Sequence, residues 1–262
     1  MAGDDFLFRT LPKVGKRVFR LGLSASYGLD EAGAREALGA GMNYVFWSRY
    51  SKPLTAALRD EIRRDRERLV IVGGPTLGYT RGAVRRGTEN ALRLLGTDSL
   101  DVLQLYWLGK MSFWTAATRA ELVKLREEGK VRALGVSIHD RPRAGRLALD
   151  SPLDLLMIRY NAAHPGAEQD IFPHLARRRP AVVAYTATSW RKLLRAPRGW
   201  NGRAATAGDC YRFCLSSPHV DVVLSAPGNA TNLKTNLEAL RKGPLSVEEM
   251  AFMRDLGRVV HG

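Results

Sequence analysis

The chain has 262 residues, with Lys+Arg 41 against Asp+Glu 26 and a formal net charge of +15. Hydrophobic residues make up 45% and charged residues 26%, ordinary globular values that exclude disordered, collagen-like and coiled-coil classes. Two cysteines exclude a disulfide scaffold, and the length is close to the roughly 250 residues of one (β/α)8 barrel.

The start, Met1-Ala2-Gly3-Asp4-Asp5, is acidic, where a secretory signal needs positive charge before an apolar stretch. No apolar run approaches the roughly 18 residues of a membrane span. A cytoplasmic protein without a membrane partner is expected. Residues 8–20 hold Pro12 and Gly15 between apolar ends, which predicts a hairpin able to plug a barrel. Eight short apolar runs follow: 21–26, 43–47, 69–73, 101–107, 131–138, 153–160, 181–187 and 220–226. Near-continuous apolar runs are the mark of parallel strands covered on both faces. Helical periodicity fills the gaps at 83–95, 120–128 and 229–240. Gly129 is a predicted helix stop, and Ser246 with Glu249 a capping box for a last helix. Eight strand–helix units without a Gly-x-Gly-x-x-Gly turn predict an α/β fold, a single (β/α)8 TIM barrel with an N-terminal β-hairpin over residues 1–262.

Cys210 and Cys214 share a predicted helix face and read as small core side chains. No His, Asp or Glu pair has ligand spacing, so no metal is expected. The positive charge admits nucleic acid, an acidic membrane surface or a phosphate-bearing ligand. Arg59, Arg63, Arg64, Arg66 and Arg68, and the arginines of 177–179, read as solvated helix faces rather than a nucleic-acid patch. A small-molecule ligand is the expected partner.

Several segments carry a more specific signal: Leu21-Gly22-Leu23-Ser24, Leu94-Leu95-Gly96-Thr97-Asp98, Asp101-Val102-Leu103-Gln104-Leu105 and Gly129-Lys130-Val131-Arg132-Ala133-Leu134-Gly135-Val136-Ser137. Tyr160-Asn161, Ala184-Tyr185 and residues 229–237 continue in order. In this combination the chain resembles the aldo-keto reductase family over nearly its whole length. The resemblance implies carbonyl reduction with NADPH by an Asp, a Tyr, a Lys and a His, the Lys lowering the pKa of the Tyr. At the four corresponding positions stand Phe46, Ser51, Gly74 and Tyr106. Tyr50 is one residue from the Tyr position. The usual relay is therefore expected to be replaced.

For the cofactor, NADP(H) or NAD(H), the resemblance implies contacts from Ser24, Ser137, Tyr185, Arg191, Asn229 and Asn236. Tyr185 matches the nicotinamide-stacking Tyr. Ile138 and Met157 replace carboxamide-binding Asn and Gln, and Lys234 is the one cation near the 2′-phosphate pocket. From 188 to 207 there is no acid, and Arg191, Lys192, Arg195, Arg198 and Arg203 are present, which reads either as an anion clamp or as a solvated loop. Catalytic candidates are Tyr50, Tyr106 and His139, with His164 nearby. Phe46, Trp47 and Trp107 are candidate substrate walls. Arg159 reads either as a carboxylate receptor or as an outward, snorkelling side chain. Three functions stay open: a divergent oxidoreductase acting on a small, anionic molecule; a pseudoenzyme serving as sensor or protein partner; and a non-redox enzyme using rim His or Tyr groups.

Overall fold

The computed structural model describes residues 6–24, 28–75, 80–109 and 114–261. An antiparallel pair, β1 (Phe8–Thr10) and β2 (Arg17–Phe19), opens the chain. Eight parallel strands follow: β3 (Leu21–Ser24), β4 (Tyr44–Phe46), β5 (Val70–Gly73), β6 (Leu100–Leu105), β7 (Val131–Ile138), β8 (Leu155–Arg159), β9 (Ala181–Tyr185) and β10 (Val222–Ser225). They close into a barrel in the order β10-β3-β4-β5-β6-β7-β8-β9. The helices are α1 (Glu31–Gly39), α2 (Lys52–Asp65), α3 (Arg81–Leu95), α4 (Ala116–Glu127), α5 (Arg141–Leu149), the short α6 (Ala167–Asp170), α7 (Ala207–Ser216), α8 (Ala230–Leu240) and α9 (Val247–His261). The expected (β/α)8 barrel with its hairpin is the observed fold. Of the predicted first strand, Ala25 and Ser26 lie outside the described residues, as does the acidic start, Met1 to Asp5.

Alternation along each strand sorts the side chains into two layers. Tyr44, Val72, Val102, Leu155, Met157 and Val183 form one cluster with Leu11, Val14 and Val18 of the hairpin. That cluster fills the barrel, and the hairpin is its plug. The alternate residues Val45, Ile71, Leu103, Leu134, Leu156 and Val223 belong to the second cluster, with the helices.

Two buried carboxylates pin the plug. Asp101, fully buried in β6, pairs with Lys16 of the hairpin at 2.9 Å and with Arg66 at 2.8 Å, and accepts from the Ile71 N–H at 2.8 Å. Asp221, just before β10, pairs with Arg9 at 3.3 Å and Arg179 at 2.8 Å, and accepts from the Val182 N–H at 2.7 Å.

Local signals hold where backbone chemistry demands them. Gly129 has φ 73, the left-handed conformation that a residue without Cβ adopts freely after a helix. The Glu249 N–H donates to Ser246 Oγ at 3.2 Å, and the Ser246 N–H donates to Glu249 Oε2 at 2.9 Å, closing the box. Cys210 and Cys214 are buried in α7, and burial pushes both thiols up, which keeps them protonated. Three strands, β4, β8 and β10, end one residue earlier than predicted, and two end two residues earlier. β6 stops at Leu105 ahead of Trp107 (φ 54), and β9 stops at Tyr185 because Thr186 has φ 53. Among the described residues no helix is long and apolar enough to cross a membrane, and no three His, Cys, Asp or Glu side chains cluster as metal ligands.

Candidate active site

The loops after the strand C-termini form the mouth of the barrel, the face where barrel enzymes place their chemistry. Phe46 ends β4, and its ring meets Tyr106 edge-on at 5.2 Å. The Tyr106 hydroxyl donates to the Trp47 carbonyl oxygen at 2.9 Å. Trp47 itself is buried in the core, with Nε1 donating to Thr55 Oγ1 at 2.8 Å. This corrects the expectation of a substrate wall: residues alternate on β4 and its extension, so Phe46 turns inward and Trp47 turns under α2. Ser51 starts α2, where its carbonyl accepts from the Thr55 hydroxyl at 2.7 Å. Tyr50 is 67% exposed under the Arg49 guanidinium, 5.1 Å from its ring. It lines a groove of about 590 Å³ with Arg49, Gly74 and Arg86 beside α3.

Gly74 has no room for a side chain. A Cβ there would stand 2.3 Å from the Gln104 carbonyl oxygen and 3.1 Å from Leu103 Cδ1. The closer neighbour is backbone, which cannot rotate away. Gly74→Ala is expected to cost about 1–3 kcal/mol of stability through overpacking, read as a lower urea midpoint at unchanged slope.

A different group of side chains meets across the mouth. His139 Nε2 lies 2.7 Å from the Tyr185 hydroxyl, a hydrogen bond between residues 46 apart in sequence. The His139 ring is edge-on to Trp107 at 5.7 Å and to Tyr185 at 5.5 Å. Burial, then the charge of Arg159, pushes the His139 pKa down, so the ring is neutral near pH 7. Burial pushes the Tyr185 phenol up, while a hydrogen bond with Ser137 and the Arg159 charge oppose it. Arg159 ends β8 directly opposite Tyr185 in the β8–β9 register. It follows Leu155 and Met157 on the inward face, and its guanidinium lies 5.8 Å from the Trp190 ring. The inward reading of Arg159 is thus the one the structure supports. His164 hydrogen-bonds Asn161 Oδ1 through Nδ1 at 3.2 Å, and burial followed by the charge of Arg159 pushes its pKa to about 4.

The cofactor candidates are less gathered. Ser24 and Ser137 are buried at the ends of β3 and β7. Asn229 caps α8, its side chain accepting from the Asn232 N–H at 2.8 Å. Asn236 is buried and donates to Ser225 Oγ at 3.3 Å. Lys234 pairs with Glu36 of α1 at 3.8 Å. Arg203 turns to Asp209 at 2.7 Å and lies over Phe252, so it is no part of a clamp. Arg191 is exposed and left-handed, φ 69, next to Ser189 (φ 49) and Trp190 (φ 52). With Trp107 and Thr186, five of the seven left-handed non-glycine residues described lie at the mouth. Each costs about 1 kcal/mol or more, and such strain collects at functional sites. Sequence reasoning passed over Ser189, whose buried hydroxyl has no partner. It also missed the Tyr185–His139 pair, for which no local pattern exists.

The mouth is almost free of acid. Among the described residues, the loops at this end, 28–30, 47–51, 74–75, 80, 106–109, 114–115, 139–140, 160–166, 186–206 and 226–229, contain only the acids Asp30 and Asp140, against six Lys and Arg. Both acids cap helices, accepting from the Gly33 N–H at 2.8 Å and the Arg143 N–H at 3.0 Å.

The aldo/keto reductase family model matches residues 52–195. The chain belongs to the aldo/keto reductase family. This carries the oxidoreductase class that the resemblance implied. Two relatives from Escherichia coli (strain K12) are similar over shorter stretches. An NADH-specific methylglyoxal reductase is 28% identical over 35% of this chain and 28% of its own length. A second methylglyoxal reductase is 32% identical over 37% of this chain and 35% of its own. The match therefore spans about a third of the length of these relatives. Among solved structures, the holo form of an aldo-keto reductase from Bacillus halodurans superposes with TM-score 0.77 at 20% identity, covering 95% of each chain. A thermostable aldo-keto reductase bound to the inhibitor epalrestat gives 0.75 at 21%, covering 95% of this chain and 99% of its own. At these identities the superpositions speak to the fold.

Proposed function

We propose that this family member binds a nicotinamide dinucleotide and reduces a small carbonyl compound without the family's Asp-Tyr-Lys-His relay, using His139 and Tyr185 instead. The observation that carries the reading is the 2.7 Å bond between His139 Nε2 and the Tyr185 hydroxyl inside the mouth. The tight contact at Gly74 supports it, because a lysine at that position would collide with the Gln104 backbone. With the phenol donating to Nε2, a neutral imidazole carries its own proton on Nδ1. That nitrogen has no partner among the described residues. It can give its proton to a carbonyl oxygen while Nε2 takes the phenol proton; burial raises the phenol pKa, and Ser137 and the Arg159 charge offset part of that rise.

The residues present fit a dinucleotide at its ring and phosphate ends. Tyr185 supplies a flat π-face, and the buried, unpartnered Ser189 hydroxyl with exposed Arg191 suits a phosphate. Bound there, the cofactor would supply hydride. Lys234 is engaged with Glu36, which leaves a 2′-phosphate without a dedicated cation and favours NAD(H) over NADP(H). The relative named NADH-specific points the same way. A second reading, a barrel kept as a ligand sensor, draws on Met157, an apolar side chain in the inward layer where the family's carboxamide-binding Gln is expected.

Titration with NADH, NAD⁺, NADPH and NADP⁺, followed by Trp fluorescence and calorimetry, tests both. The expected result is micromolar binding, with NADH at least as tight as NADPH, followed by NADH-dependent loss of methylglyoxal. Absence of binding at millimolar cofactor would sink the oxidoreductase reading and leave the sensor.

A further inference from the structure

The inward cation at the mouth has no counter-charge. Arg159 sits at the end of β8 on the face that also carries Leu155 and Met157, so strand geometry directs it over the barrel interior. Among the described residues no carboxylate pairs with it; its contact is the Trp190 ring at 5.8 Å. Neighbouring acids are occupied elsewhere. Glu168 binds Arg254 at 2.8 Å and the Tyr160 hydroxyl at 2.7 Å, Asp170 binds Arg141 at 3.0 Å, and Asp140 caps α5. A half-buried guanidinium in such surroundings favours an anion from solution, because its five donors form a planar fork matched to carboxylate.

Two features narrow the anion. Arg159 is the register partner of Tyr185, and adjacent strands lie about 4.8 Å apart. A small ligand with its anionic end on Arg159 therefore has its next atoms beside the Tyr185–His139 pair. Exposed Trp107 (68%) and Trp190 (51%) stand against His139 and Arg159 respectively and offer the ligand aromatic rather than charged flanks.

We propose that Arg159 receives the carboxylate of the substrate, and that the substrate is a small oxo acid whose carbonyl then meets His139. This rests on the oxidoreductase reading for the fate of the carbonyl, but not for the binding. The same guanidinium chemistry would also accept a cofactor phosphate, so the test separates the two.

Pyruvate, its methyl ester, inorganic pyrophosphate and NADH are titrated separately into the cofactor-free protein, following Trp fluorescence and heat. The same titrations are made on Arg159→Met and Arg159→Lys. Pyruvate is expected to bind about tenfold or more tighter than its ester. Arg159→Met should remove that advantage, Arg159→Lys should keep part of it, and both should hold NADH within about threefold of the parent. Equal binding of acid and ester, no pyruvate binding up to about 10 mM, or an unchanged pyruvate affinity in Arg159→Met would each overturn the proposal. So would a loss confined to NADH and pyrophosphate, which assigns the charge to cofactor phosphates. Failure of NADH to bind the parent protein sinks the oxidoreductase reading instead, and the comparison of pyruvate with its ester stays readable.

Discussion

His139→Ala is expected to lower kcat/KM for NADH-dependent reduction of methylglyoxal by about 10²–10⁴-fold, the range for losing a positioned acid–base group. Tyr185→Phe keeps the ring and removes the hydroxyl, so turnover should fall while cofactor affinity holds. Tyr106→Phe should change little, since that hydroxyl is spent on the Trp47 carbonyl. The pH profile carries the sign. Burial first, then Arg159, lowers the His139 pKa, and the relay needs the imidazole neutral to accept from Tyr185. Activity should thus persist below the ordinary histidine value of about 6.5 and fall only at more acid pH. An acid limb above that value, or parent-level turnover in His139→Ala, would remove His139 from the chemistry. The comparison is made at saturating NADH with the urea midpoint of each variant measured alongside.

Asp101→Ala is expected to cost about 3–5 kcal/mol, the largest stability loss of any single change considered. The carboxylate is fully buried and serves Lys16 and Arg66 closely, Arg132 at 3.8 Å, and one backbone N–H. Removing it leaves Arg66 without its buried counter-charge, leaves Lys16 only the exposed Glu67 at 3.3 Å, and strips the Ile71 N–H of its acceptor. Urea unfolding followed by far-UV circular dichroism reads the loss. Asp101→Asn keeps an acceptor for Ile71 and should lie between the two. Because Lys16 belongs to the plug, protease sensitivity within residues 8–20 should rise with the loss. A midpoint within about 0.5 kcal/mol of the parent would show that the plug is held by its apolar residues alone.

The barrel was legible because its strands are covered on both faces, which writes each as an apolar run such as Val70-Ile71-Val72. The plug was legible from Pro12 and Gly15, and the last helix from Ser246 and Glu249. The site was less so. A period of two leaves the inward face of a strand undetermined until its register is known. This is why Arg159 read both ways, and why Trp47 was expected at the mouth when it packs beneath α2. The signal for Arg159 was present in Met157: a position two residues beyond one expected to face the cofactor lies on the same side. His139 and Tyr185 meet only through closure of β7, β8 and β9, a contact that no window of sequence contains. Arg203 read either as a clamp or as a solvated residue because the Asp209 that draws it away lies on the following helix.

The scarcity of acids at the mouth also governs how fast ligands arrive. Uncompensated positive charge around a concave opening draws anions from solution and repels cations before any contact forms. At about 0.1 M salt this reach is roughly 10 Å. Association of an anionic ligand therefore slows as ionic strength rises, while its departure, set by contacts at the bottom of the opening, stays nearly constant. A neutral aldehyde gains nothing from this field. At low salt such a field favours anionic over neutral ligands at the moment of encounter, before any contact discriminates between them.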